Sequence, residues 1–105
     1  MQIQVNSDSS VAVHGNLTHL VESTVHHALK HFGDRITRVE VHLSDVNAQK
    51  SGPTDKRCLM EARPAGLDPV AVSDQAANFE EALRGAAKKL RKSLDGSFGR
   101  EKRRA

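Results

Sequence analysis

The chain has 105 residues, of which 37% are hydrophobic, so it can bury one modest core and has no room for a second domain of ordinary size. Its charge is divided unevenly, because residues 1–83 carry 7 Lys or Arg against 11 Asp or Glu, whereas residues 84–105 carry 9 against 2. The formal net charge of +3 therefore combines an acidic body with a strongly basic end, which indicates a polyanionic partner such as a nucleic acid.

The N-terminal residues carry no targeting signal. Residues 1–5 contain neither a basic n-region nor an apolar h-region, and no stretch approaches the ~20 apolar residues that span a bilayer. The sequence therefore predicts a cytoplasmic protein without a membrane partner. It contains no phosphate-cradling glycine loop, nucleophile elbow or clustered carboxylate pair, so neither a cofactor, a small-molecule substrate nor an enzymatic activity is expected.

The first third of the chain is predicted to form a strand followed by an amphipathic helix. Residues 2–6 alternate between polar and apolar side chains, which is typical of a strand with one polar face. From residue 17 to residue 32 apolar side chains recur at helical spacing. Asn16 is the predicted N-cap, and Gly33, just past the predicted end, accepts a left-handed conformation.

Three strands are predicted in the middle of the chain. Residues 37–43 and 57–63 alternate in hydrophobicity, and the segment 46–55 between them contains the Asn, Ser, Gly and Pro residues of a hairpin loop. A turn then leads into a short strand at residues 70–72. The only cysteine, Cys58, permits no internal disulfide, and its inward position predicts a buried thiol. The inward side chains of the two longer strands are Thr37, Val39, Val41, Leu43, Cys58, Met60 and Ala62.

The last helix is predicted to begin near Asn78 and to separate apolar from cationic side chains. Asn78 caps the helix while Glu81 reaches back, as in a capping box. On a helical wheel the cations face away from the core. The apolar stripe comprises Phe79, Ala82, Leu83, Ala86, Ala87, Leu90 and Leu94, and the cationic face comprises Arg84, Lys88, Arg91 and Lys92. Residues 96–105 are expected to form a basic, flexible tail.

Together these elements predict a single α+β domain over residues 1–95. Their order is β-α-β-β-β-α, which gives a four-stranded mixed sheet with two helices packed on one face. The crossover helix makes the first two strands parallel, and the hairpins make the other pairs antiparallel. Cross-strand ion pairs are expected on the open sheet face, which is also an alternative RNA surface. The charged side chains of that face are Arg38, Glu40, His42, Arg57, Glu61 and Arg63.

Several segments resemble the family of ribosome hibernation-promoting factors and ribosome-associated inhibitors. They are residues 36–45 (ITRVEVHLSD), residues 56–63 (KRCLMEAR) and the last helix, with Ala82 and Leu83 followed by Lys89-Leu90-Arg91-Lys92-Ser93-Leu94. The resemblance extends over nearly the whole chain, to about Leu94. It rests on the element order, the spacing and the basic second helix rather than on one diagnostic motif.

The resemblance implies a bacterial protein that occupies the decoding channel of the small ribosomal subunit and excludes messenger and transfer RNA during dormancy or stress. By position, Lys89 and Lys92 match cations of the family pattern Lys-Leu-Glu-Arg-Gln-Leu, and Arg91 replaces its acidic residue. The family's aromatic residue at the helix start is displaced by one position, to Phe79. Long members carry a further C-terminal module, so this chain is expected to act on individual ribosomes and to be a monomer away from them. The predicted rRNA-binding residues are Lys30, Arg84, Lys88, Lys89, Arg91, Lys92, Arg100, Lys102, Arg103 and Arg104.

The charge pattern of the basic helix is also compatible with a purely structural role. Acidic residues early in a helix and cations late in it complement the macrodipole, and Glu80 with Arg84 forms a favourable i,i+4 pair. A general binder of structured RNA and a basic module that docks an acidic protein are the alternative functions. His27 and His31 have a spacing that suits a shared metal, but no carboxylate or thiol completes an obvious ligand set. A packing or boundary role is predicted for both histidines, and no metal.

Overall fold

The computed structural model describes residues 1–8, 15–46 and 55–104, apart from the side chains of Arg103 and Arg104. The strands are β1 Gln2–Ser7, β2 Ile36–Asp45, β3 Lys56–Pro64 and β4 Val70–Ala76. The helices are α1 Gly15–Leu29 and α2 Phe79–Arg104, and a 3₁₀ segment, Lys30–Arg35, joins α1 to β2. The order confirms the predicted β-α-β-β-β-α fold, and most of the predicted hairpin loop, residues 47–54, lies outside the described residues.

The four strands form one mixed sheet in the order β1, β2, β3, β4. β1 runs parallel to β2, with Ile3 beside Val39, as expected for two strands joined by a crossover helix. The other two pairings are antiparallel. β4 is longer than the predicted residues 70–72, because its pairing with β3 continues to Ala76 at the edge of the sheet.

The core lies between one face of the sheet and the apolar faces of the two helices. A side chain such as Leu or Val contributes ~1.5–3 kcal/mol when it is fully buried rather than exposed, so this layer holds both helices on the sheet. The largest fully buried side chains are Val21, Val25, Leu29, Ile36, Val39, Val41, Leu43, Cys58, Met60, Leu83, Leu90 and Leu94. The predicted apolar stripes of both helices are thereby confirmed, and their outer faces are left to solvent.

An irregularity at the start of β2 changes which side chains point inward. The pairing with β3 shifts register between Ile36 and Arg38, as at a β-bulge. Ile36 and Val39 are both buried, whereas Thr37 is exposed and donates a hydrogen bond to the carbonyl oxygen of Arg63 at 2.9 Å. The prediction that Thr37 points inward is wrong, because strict alternation takes no account of a bulge.

The end of α1 differs from the prediction in detail. Asn16 lies inside the helix rather than at its N-cap. The helix ends at Leu29, and Phe32, which belongs to the same apolar periodicity, is buried from the 3₁₀ segment that follows. Gly33 has a φ of 58°, so the expected positive φ is present, but within that segment. A residue with a Cβ would be strained at this position.

α2 begins with the predicted cap. The side-chain Oδ1 of Asn78 accepts a hydrogen bond from the backbone N–H of Glu81 at 2.9 Å. This contact satisfies one of the N–H groups that the first turn of a helix leaves without a partner.

Among the described residues, neither this helix nor α1 is long and apolar enough to cross a membrane.

α2 also continues past its predicted end. Residues 96–104, expected as a flexible tail, are helical up to Arg104. Phe98 follows Leu94 by four positions, extends the apolar stripe and is buried, with its ring centroid 5.4 Å from that of Phe32. Tertiary packing of this aromatic pair therefore supports a helical turn whose own propensity is lowered by two glycines.

Cys58 is fully buried on β3, opposite Asp74 of β4, which confirms the predicted buried thiol. Burial, reinforced by the charge of Asp74, raises the pKa of the Cys58 thiol to about 12. The raised pKa favours the neutral thiol in the folded state. This difference in pKa between the folded and unfolded states stabilises the folded protein below pH 9.0, the ordinary pKa of the thiol. The stabilisation is lost as the pH rises from there toward about 12.

We expect the thiol of the folded protein to resist a thiol-directed reagent at about pH 8, since only a thiolate is a good nucleophile. Unfolding exposes the group and returns it to an ordinary cysteine. The check is the reaction rate with and without denaturant. Equal rates in the two conditions would show that Cys58 is accessible in the folded protein.

Candidate nucleic-acid interface

An open groove of about 630 Å³ runs between α1 and α2; we call it the interhelical groove. Its apolar floor includes Leu20 and Ala28 of α1 and Ala87 of α2. The α1 wall presents Ser23, Thr24 and His27, and the α2 wall presents Arg84, Lys88 and Arg91. Hydroxyl and imidazole groups thus face a row of cations across an apolar floor.

The cationic wall follows from the spacing of its residues along α2. Arg84, Lys88 and Arg91 stand at positions i, i+4 and i+7, so they share one face and span roughly 10 Å along the helix axis at 1.5 Å per residue. All three are exposed. Arg84 donates to Glu80 at 2.8 Å, which is the predicted i,i+4 pair. An exposed pair of this kind contributes little to stability, so the guanidinium stays available to an anion.

Lys89 lies on a different side of α2 from this wall. Its Nζ donates to the carbonyl oxygen of Ser73 at 3.0 Å and to Oδ1 of Asp74 at 3.1 Å, both on the edge strand β4. Gly85, one turn earlier, permits this approach, because a Cβ there would lie 1.6 Å from Oδ2 of Asp74. The structure therefore gives Lys89 a contact that joins α2 to the sheet and separates it from the cations of the interhelical groove.

The other predicted cations are distributed around the two helices. Lys92 is exposed one turn after Lys88, and Lys30 is exposed in the 3₁₀ segment after α1. Arg100 lines a smaller cleft between α2 and the turn before β4, while Lys102 is exposed on the last turns of α2. Arg103 and Arg104 end the helix, and their side chains lie outside the described part of the chain.

Besides the packing of Phe32 on Phe98, polar side chains join the 3₁₀ segment to the C-terminal half of α2. Nε2 of His31 lies 3.5 Å from Oδ1 of Asp95, and the imidazole packs against Phe32 at 4.0 Å between ring centroids. The guanidinium of Arg35 lies 4.3 Å from the ring centroid of Phe98. These contacts fix the far end of α2 next to the end of α1, which holds the two walls of the groove in place.

The open sheet face is a weaker candidate for an anion surface. The register places Arg38 opposite Arg63 and Glu40 opposite Glu61, so like charges face each other across β2 and β3. Opposite charges meet along each strand instead, with Arg38 2.7 Å from Glu40 and Arg63 3.8 Å from Glu61. The prediction of cross-strand ion pairs between β2 and β3 is therefore wrong for these two facing pairs. Their charges are balanced along the strands and leave little net positive field.

The sequence singled out His27 only as a boundary residue and passed over Ser23 and Thr24. The three residues lie within one turn of each other on the flank of α1, next to its apolar stripe. The sequence could have indicated these residues as a polar flank beside the apolar stripe of α1. Only the position of α2 in the structure shows that this flank faces the cations. Among the described residues no three His, Cys, Asp or Glu side chains come together as metal ligands would.

The family model described as Sigma 54 modulation protein / S30EA ribosomal protein matches residues 3–101. The structure of a ribosomal subunit interface protein from Coxiella burnetii has a TM-score of 0.74 at 16% identity, over 91% of this chain and 96% of that one. The N-terminal domain of Protein Y from Thermus thermophilus gives 0.71 at 16% identity, over 90% and 96%. At this identity the two structures establish a shared fold. Comparison with curated proteins gave no significant match.

Proposed function

Because the chain belongs to the Sigma 54 modulation protein / S30EA ribosomal protein family, whose members include the hibernation-promoting factors, we propose that it binds the small ribosomal subunit and inhibits translation. In this proposal the ligand is ribosomal RNA and the chain acts by occupying a site rather than by turnover. It is a cytoplasmic protein in this role and binds as a monomer.

The row of cations in the interhelical groove is the observation that carries the proposal. Phosphate groups repeat along an RNA backbone, and a helix that presents Arg84, Lys88 and Arg91 along roughly 10 Å offers them a matching row of donors. Arg binds phosphate through a planar fork and Lys through a point charge, so both suit this partner. Contacts of this kind recognise the shape and backbone of folded RNA rather than its base sequence.

Within the ribosome, we place the chain in the decoding channel, where it excludes messenger RNA and transfer RNA. Support comes from the match between its cationic surface and a channel walled by rRNA, and from the family resemblance of the whole domain. A protein that inhibits by occupancy should reach its full effect near one copy per ribosome. Messenger RNA and initiator transfer RNA bound in advance should compete with it.

We expect the chain to co-sediment with purified small subunits and to lose this association steeply as salt is raised. Each phosphate contact releases roughly one counterion, so the number of contacts sets how steeply the affinity falls with salt. With four contacts, the affinity should fall about a hundredfold when the salt concentration rises from about 50 to about 200 mM. The four contacts come from Arg84, Lys88, Arg91 and Lys92. The measurement is the fraction of the chain that pellets with subunits across this range.

Competition by messenger RNA and initiator transfer RNA provides the specificity control. Binding that these ligands displace supports the decoding channel as the site. Equal binding to any RNA duplex, without competition, would favour a general binder of structured RNA. A flat salt profile would contradict a phosphate-binding surface altogether and would indicate an apolar protein partner.

A further inference from the structure

We propose that binding of an RNA phosphate in the interhelical groove is coupled to protonation of His27, so that the affinity of this surface for RNA rises as the pH falls. The inference rests on the proposed function, because it assumes that RNA occupies the groove. It adds a regulatory property to that site, namely a response to acid.

His27 is the imidazole that the groove itself contains. It lies on the α1 wall with Ser23 and Thr24, across from the cationic wall of α2. Its side chain belongs to an exposed residue on the groove, where a ligand can reach it. A phosphate held by the cations of α2 would therefore find this imidazole on the opposite side of the same groove.

The charges that face His27 explain why a polyanion would change its protonation. From α2 it faces Arg84, Lys88 and Arg91. The carboxylates on this side of α2, Glu80, Glu81 and Asp95, stand before and after this row; Glu80 is 2.8 Å from Arg84 and Asp95 is 3.5 Å from His31. From its own helix its groove neighbours are hydroxyl side chains. Without a ligand, a charge on His27 would be added to a wall of three cations, of which Arg84 is paired with Glu80. A bound phosphate reverses this local field and favours the imidazolium.

The other described histidines lie in different surroundings. His31 faces the carboxylate of Asp95 at 3.5 Å, a contact within the fold. His42 lies on the open sheet face, 4.0 Å from Glu40. His19 and His26 are exposed on α1 but do not line the groove. A pH response that comes from the groove should therefore depend on His27 in particular.

Protonation of an imidazole by solvent adds one positive charge and one hydrogen-bond donor. An ordinary imidazole titrates near pH 6.5, and its protonated form donates from both ring nitrogens. The proton comes from solvent and is released again when the RNA leaves. One added charge-assisted contact with phosphate corresponds to a gain in affinity of about tenfold. It should also add about one counterion to the salt dependence of binding.

The test compares binding of the full chain to a short RNA hairpin at about pH 7.5 and about pH 5.5, either side of the ordinary imidazole value. The quantity of interest is the ratio of the two affinities at fixed salt. For the wild-type chain we expect about fivefold tighter binding at the lower pH, because these two pH values capture only part of a tenfold coupling. His27→Gln cannot be protonated and should lose most of this ratio. His42→Gln makes the same change on the opposite face of the sheet and should keep it.

Three results would overturn the proposal. They are an affinity that does not change with pH in the wild-type chain, a full pH response in His27→Gln, and no binding of the hairpin at either pH. Co-sedimentation with small subunits at about pH 7.5 is measured in parallel and tests the proposed function separately. If the chain binds the hairpin with the expected pH ratio but does not co-sediment with small subunits, the result supports the proton coupling and contradicts the ribosomal function.

Discussion

Replacing Lys88 and Arg91 together with Glu is expected to weaken binding to small ribosomal subunits about a hundredfold or more. Each cation supplies a charge-assisted contact with phosphate of ~1.5–3 kcal/mol, so losing two of them removes at least ~3 kcal/mol. Glu at both positions adds repulsion. Both side chains are exposed on the cationic wall and contribute nothing to the core, so the fold should survive. Co-sedimentation of the folded variant with subunits is the measurement.

A matched control places the same charge change on the other side of the molecule. Arg57→Glu combined with Arg63→Glu alters two exposed cations of the open sheet face. If the interhelical groove is the binding surface, this variant should bind nearly as well as the wild-type chain, apart from a small effect of total charge. Equal losses in the two double variants would show that net charge, rather than the groove, determines binding.

Leu90→Ala is expected to lower the free energy of unfolding by ~2–5 kcal/mol, the usual cost of removing a fully buried Leu side chain and leaving a cavity. Leu90 has no exposed surface and lies on the apolar stripe of α2, against the sheet. Domains of this kind have total stabilities of ~5–15 kcal/mol, so the variant should lose a large share of its stability. Denaturation by urea, monitored by circular dichroism, gives the difference.

The control for Leu90→Ala is the same substitution at Leu59. It carries the same side chain on β3 but lies half-buried on the open sheet face. Leu59→Ala should therefore cost clearly less than Leu90→Ala, because less apolar surface is lost and no closed cavity forms. Similar losses at the two positions would contradict a core that is confined to the space between the sheet and the helices.

Periodicity predicted the elements of this fold well, because most of them bury one face. Alternation placed Val39 and Met60 inward, and the 3.6-residue repeat placed Leu83 and Leu90 on the buried side of the last helix. The cap at Asn78 was visible from local chemistry alone. Thr37 was misplaced because a bulge depends on how two strands meet, which one strand does not reveal.

The site was less predictable than the fold because it is built from two helices. Charge patterning identified the cations of α2, but their neighbours depend on the packing of α1 and the sheet. Lys89 contacts Asp74, fifteen residues away, and His27 faces Arg91 across the groove. The helical end of α2 has the same origin, since Phe98 is buried against Phe32 of the 3₁₀ segment that follows α1. Long-range contacts of this kind leave only weak traces in the local sequence.

The facing like charges of β2 and β3 also bear on how the protein folds. A slip of two residues would keep the same side chains inward, yet it would bring Arg38 opposite Glu61 in one direction or Glu40 opposite Arg63 in the other. The facing charges on the solvent side of this hairpin thus favour a shifted alignment. The native alignment is stabilised by the side chains buried under the helices and by the ion pair of Asp45 with Lys56, 2.7 Å apart at the loop end of the two strands. Such a conflict between local and global preferences is a form of frustration. We therefore expect docking of the helices, together with the Asp45–Lys56 pair, to favour the native alignment of the two central strands during folding.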